Sequence, residues 1–133
     1  MEYSKTEKLI LVADDDSTLR KLVIMALATT GHHILEAADG LAALALFCAH
    51  RETIALVVTD ITMPGLNGLQ LVEAILAIAS ETPVLYMSGN SLDDPIALNH
   101  LRERRAEFLA KPFTPAVLRS AVNGLFRAEA LSG

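Results

Sequence analysis

The sequence predicts a doubly wound α/β domain, a parallel five-stranded sheet with helices on both faces. Short apolar strands alternate strictly with helical segments, and that order implies right-handed crossovers between parallel strands. The runs LILVA (Leu9 to Ala13) and IALVVT (Ile54 to Thr59) are apolar on both alternating faces, which is how strands covered on both sides read. Charged and hydroxyl residues fall directly after the strands, at the edge where open α/β sheets hold their ligands.

Strand one, LILVA, stops abruptly at Asp14, Asp15 and Asp16. Ser17 is the expected N-cap of a first helix, in which Leu19, Leu22, Val23, Ala26 and Leu27 recur at three- and four-residue spacing until Gly31 supplies a stop. A short strand (His33 to Ala37), the Asp39-Gly40 turn and an Ala/Leu-rich helix (Leu41 to His50) follow. After the third strand come Asp60 and ITMPGLNG, whose Pro64, Gly65, Asn67 and Gly68 are turn formers; LQLVEAILAIA then resumes the helical period. Pro83 opens the strand PVLYM, Leu92 to Arg104 forms a more polar helix, and Glu107 to Ala110 is the last strand. Thr114 caps and Pro115 starts a final helix, with Val117, Leu118, Ala121, Val122, Leu125 and Phe126 on one apolar stripe.

A chain of 133 residues accommodates one domain, placed over 8–130, with 1–7 read as a flexible N-terminus. With 52% hydrophobic and 20% charged residues it has the apolar material for a core, which excludes intrinsic disorder. The net charge of −5 repels phosphate backbones and anionic membranes but not a cation, so direct nucleic-acid and membrane binding are not expected. Cys48 is the only cysteine, which excludes an intrachain disulfide and a cysteine zinc site and fits a reducing, cytoplasmic setting. No apolar run approaches a membrane span, and Met1 to Lys8 is unlike a targeting leader.

The fold brings Asp14, Asp15, Asp16, Asp60, Ser88 and Lys111 to one sheet edge. Crowded carboxylates either raise a pKa or recruit a cation, and an all-oxygen ligand set favours magnesium. Read alone, the acidic triplet is equally a set of solvated loop acids and helix caps. Lys111 precedes Pro112, for which a cis bond is expected, and its ammonium could grip a phosphoryl oxygen beside the Ser88 hydroxyl. Other candidates are read as structural. His32 and His33 point to opposite faces, His50 and His100 are taken as surface residues, and Cys48 is taken as a small hydrophobe beside Phe47. Arg102, Arg104 and Arg105 form a basic run interrupted by Glu103 and Glu107, read as a solvated helix end or a rim for a partner.

Taken in order, ILVADDDSTLR, VVTDITMPGLNG, PVLYMSGN and FLAKPFTP resemble the receiver domain of bacterial response regulators, from about Leu9 to Phe126. The run YMSGN with EFLAKPFTP looks most like receivers fused to hybrid sensor kinases. The resemblance implies the flavodoxin-like receiver fold with strand order 2-1-3-4-5. It also implies a phosphorelay module, in which Asp60 accepts a phosphoryl group from a histidine kinase or phosphotransfer protein. Asp14, Asp15, Asp60 and the Thr62 backbone carbonyl would hold Mg2+, Ser88 and Lys111 would hold the phosphoryl oxygens, and Phe108 takes the place of the switch aromatic. Asp16 falls at a variable position. Thr62 and Asn90 stand where the family tunes phosphate lifetime, Asn67 replaces a commonly acidic residue, and the fourth helix lacks the usual Gly-Ala ending. Such a module would switch a partner-binding surface, as a monomer or a phosphorylation-dependent dimer, rather than turn over a substrate. The rival reading is a phosphohydrolase of the haloacid dehalogenase kind, which Asp14 and Asp16 mimic in their D-x-D spacing. A dinucleotide-binding domain is excluded, because no Gly-rich turn follows strand one.

Overall fold

The computed structural model describes residues 8–103 and 105–132, with side chains through 128. The expected flexible segment 1–7 and Arg104 of the basic run lie outside the described residues. The elements are β1 (Leu9–Ala13), α1 (Ser17–Leu27), β2 (His33–Ala37), α2 (Gly40–His50), β3 (Ile54–Asp60), α3 (Gly68–Ile78), β4 (Val84–Ser88), α4 (Pro95–Arg102), β5 (Ala106–Ala110) and α5 (Pro115–Ser132). All strand pairs are parallel, in the order β2-β1-β3-β4-β5, as the resemblance implied. Among the described residues no helix is long and apolar enough to cross a membrane.

Strand alternation divides the core in two. Leu9, Leu11, Val57, Val84 and Tyr86 pack with α2, α3 and α4 through Phe47, Leu71, Ile75 and Ala97. Ile10, Val12, Leu56, Val58, Leu85 and Met87 pack with α1 and α5 through Val23, Leu27, Leu118 and Val122. Every residue of β1 and β4 is buried, which explains why both read as unbroken apolar runs.

Several element ends differ from the sequence reading, each for a local reason. Asp16, not Ser17, is the N-cap of α1, and its Oδ1 accepts from the amides of Thr18 and Leu19. The Asp16 carboxylate also answers the positive end of the helix dipole. α1 stops at Leu27, and a single 3₁₀ turn, Ala28–Thr30, carries the chain to Gly31 at φ 83°. α4 starts at Pro95, capped by Asp94, rather than at Leu92, since proline is pre-set for the first helical position.

His100 is buried, which corrects its reading as a surface residue. Its Nδ1 lies 3.3 Å from the Tyr86 hydroxyl, with the rings edge-to-face. Burial, reinforced by Asp94, pushes the Tyr86 phenol far above its ordinary range, so the hydroxyl that shares this hydrogen bond is neutral. Nε2 is buried without a hydrogen-bond partner among the described residues. Cys48 is exposed although its neighbour Phe47 is buried. α2 is apolar nearly all round, so its composition does not mark the inward face. His50 is half-buried, and His32 stacks on Phe126 with ring centroids 4.6 Å apart.

Gly68 opens α3 directly against β3, where an added Cβ would overlap the carbonyl oxygen of Asp60, whereas Gly124 on α5 faces open space. Gly68→Ala is therefore expected to destabilise by about 1–3 kcal/mol and Gly124→Ala to stabilise by about 0.5–1 kcal/mol, read from urea unfolding. The second expectation concerns acid. Burial holds the His100 imidazole below its ordinary 6.5, aided by Arg105 and opposed by Glu103 and the Thr82 backbone. The folded state thus binds fewer protons than the unfolded one. The His100 contribution is complete above 6.5 and declines as pH falls from there through the lowered folded value. A stability profile from pH 7.5 downward should lose that part of its slope in His100→Leu.

Candidate functional site

The site is built from strand ends. Asp14 continues the alternation of Ile10 and Val12, Asp60 that of Leu56 and Val58, and Lys111 that of Leu109. One face of β1, β3 and β5 thus delivers two carboxylates and an ammonium to the carboxyl edge of the sheet. Asp14 is fully buried and Asp60 is 6% exposed, while Asp15 lies outside on the loop. Carboxylate oxygens of Asp14, Asp15 and Asp60 all lie within 4.8 Å of one another. Among the described residues no other group of His, Cys, Asp or Glu is gathered in this way.

Lys111 is the counter-charge. Its Nζ donates to Asp60 Oδ2 at 3.0 Å and stands 3.9 Å from Asp14 Oδ2. The Lys111–Pro112 peptide is cis, as the sequence led us to expect, and the Lys111 amide donates to the Ser88 carbonyl at 2.8 Å. Ser88 is buried at the end of β4, where its Oγ accepts from the Asn90 amide at 3.0 Å. The Thr62 amide donates to Asp60 Oδ1 at 3.2 Å, which fixes the loop after β3 on the carboxylate. Phe108 is half-buried on β5 beside its register partner Tyr86, on the α4 face of the sheet.

The loop after β1 is tightly bonded. Asp14 Oδ1 accepts from the Asp16 amide at 2.9 Å, and the Asp14 amide donates to the Ala37 carbonyl at 3.1 Å. Asp16 is committed to capping α1, so the structure separates the acidic triplet into two carboxylates clustered with Asp60 and one helix cap. Arg20 was not singled out from the sequence. Its Nη1 donates to the Asp14 carbonyl at 2.7 Å and its Nε to Glu36 Oε1 at 3.0 Å. No local pattern marks it, because both acceptors are set by tertiary folding.

Asp14 Oδ2 is buried with no hydrogen-bond donor. Burial raises the pKa of this carboxyl, the Asp16 amide and Lys111 oppose the rise, and the charges of Asp60 and Asp15 add to it. An all-oxygen cluster with one unanswered, desolvated carboxylate oxygen fits a hard divalent cation. Its cost without that cation is testable. In chelator at pH 7, Asp14→Asn should raise the Tm by roughly 4–8 °C, about 1–2 kcal/mol, because a buried charge is removed without loss of volume.

A family model for the response regulator receiver domain matches residues 10–123. The transcriptional regulatory protein PrrA of Mycobacterium tuberculosis is 34% identical over 128 residues, which cover 96% of this chain and 53% of PrrA. The chain spans about half the length, or less, of the curated relatives it matches. The receiver domain of the hybrid histidine kinase CckA superposes with a TM-score of 0.70 at 30% identity, covering 88% of this chain and 98% of that one. A chain of the CheX–CheY–BeF3–Mg2+ complex from Borrelia burgdorferi gives 0.77 at 26% identity, covering 90% and 89%. The family match runs from β1 into α5 and takes in both ends of the acidic edge, and the chain belongs to the response regulator receiver domain family.

Proposed function

We propose that this chain is a phosphoacceptor domain in a two-component phosphorelay, with 8–130 as its folded unit and Asp60 as the acceptor. The observation that carries this reading is the Asp60 carboxylate, nearly buried, paired with Lys111 at 3.0 Å and clustered with Asp14 and Asp15. The donor is a phosphohistidine on a histidine kinase or phosphotransfer protein. Asp60 Oδ2, once released by Lys111, attacks phosphorus as the P–N bond breaks, and the imidazole leaves with the bonding pair. In-line placement and charge neutralisation are nearly all that such a transfer demands of a protein. Lys111 leaves Asp60 for the incoming phosphoryl oxygens, and the Ser88 hydroxyl donates to them.

Asp14, Asp15, Asp60 and the Thr62 carbonyl are the groups that would hold Mg2+. When bound, Mg2+ supplies positive charge that offsets the charge on the equatorial oxygens. The new charge at Asp60 acts on Ser88 and Lys111, whose strand ends are joined by the Lys111 amide. Phe108, on β5 between that edge and α4, is the aromatic that responds, and the altered face binds a downstream protein or a second copy of the chain. The module catalyses only its own phosphorylation and dephosphorylation, and its acidic balance disfavours direct nucleic-acid binding. The phosphohydrolase reading loses support because its second aspartate, Asp16, is bonded to the amides that start α1.

Intact mass after incubation with Mg2+ and a small-molecule phosphodonor tests this reading. One base-labile phosphoryl group per chain is expected, absent from Asp60→Asn and forming about a hundredfold more slowly in Lys111→Ala. Steady release of phosphate from small esters, with no trapped adduct, would instead favour the phosphohydrolase.

A further inference from the structure

We infer that Arg20 is a positioning residue for the cation site, clamping the loop that presents Asp14 and Asp15. The inference rests on the proposed cation reading of the cluster. Arg20 lies in the first turn of α1, its amide bonded to the Asp16 carbonyl at 2.9 Å, and its side chain folds back over the loop it has just left. Nη1 reaches the Asp14 carbonyl at 2.7 Å, and Nε is held by Glu36 of β2 at 3.0 Å, with the side chain only 14% exposed. The Asp14 residue is therefore gripped on both sides, its N–H by the Ala37 carbonyl and its C=O by the guanidinium.

The clamp matters most for Asp15. Its exposed carboxylate takes no hydrogen bond from the described residues, so its place near Asp14 and Asp60 is set by the loop backbone alone. Loosening that backbone would make an incoming cation order the loop as it binds. The rigid guanidinium holds its two donors in a fixed relation to the carbonyl and the carboxylate, whereas an ammonium on a flexible stem fixes neither direction.

The sign of the effect separates this role from the alternatives. A cation near a cation site opposes metal binding by Coulomb's law, so loss of the Arg20 charge alone should tighten Mg2+ binding. Loss of the clamp should weaken it. A purely structural role would lower Tm and leave the affinity of the folded protein unchanged.

Calorimetric titration of the full chain with Mg2+, alongside amide exchange of the metal-free protein, tests the inference. Arg20→Ala is expected to weaken Mg2+ binding about tenfold, and Arg20→Lys to weaken it by a smaller factor despite its retained charge. In both variants the Asp15 and Asp16 amides should exchange faster while β1 and β3 keep their protection. Unchanged or tighter Mg2+ binding in the folded variants overturns the clamp. If Arg20→Ala does not fold, wild-type affinity in Arg20→Lys overturns it equally. Failure of the wild-type chain to bind Mg2+ would sink the cation reading and the clamp together, whereas normal wild-type binding with unaltered variants sinks the clamp alone.

Discussion

The pairing of Lys111 with Asp60, and its reach toward Asp14, is the constraint on which the rest of this structure depends. Two nearly dry carboxylates at neighbouring strand ends are mutually repulsive, and one ammonium offsets only part of that. The surroundings are organised to hold them regardless. β1 and β3 are buried along their length, the cis peptide after Lys111 turns the chain at the edge, and backbone amides of Asp16 and Thr62 supply further donors. Asp14 Oδ2 remains unanswered, so the edge is stable as a scaffold and electrostatically incomplete as a site.

That incompleteness connects stability to function. A carboxylate cluster that fits a cation carries excess negative charge whenever the cation is absent, and the fold must bear the cost. It does so through rigidity around the carboxylates. Gly68 lets α3 approach the Asp60 backbone with no side chain between, and the Asn67–Gln70 capping box closes the helix start beside it. On the opposite flank, Asp16 caps α1 and Arg20 ties α1, the acidic loop and β2 together.

A second polar pair lies on the far side of the sheet. Tyr86 and His100 join β4 to α4 through a buried hydrogen bond, and Tyr86 is also the strand neighbour of Phe108. α4 is the shortest helix, at eight residues, and the most polar, so this bond supplies anchoring that its apolar contacts do not. Phe108 therefore sits beside a short helix whose buried residues are Ala97 and His100.

Strand and helix order, the parallel sheet and the edge carrying Asp14, Asp15, Asp60, Ser88 and Lys111 were all legible in the sequence. Burial on both faces writes itself as unbroken apolar runs, and in β1 the run stops where the aspartates begin. The four motifs, read together, carried the family and with it the strand order. Tertiary structure decided what depends on contacts between distant segments. His100 turned inward to Tyr86, and Cys48 outward on a helix whose apolar surround concealed its core face. Arg20 found its acceptors sixteen and six residues away, on elements that meet only when β2 lies beside β1. Periodicity and motif report what a residue does for its own element; they do not report which residue of another element will stand opposite it.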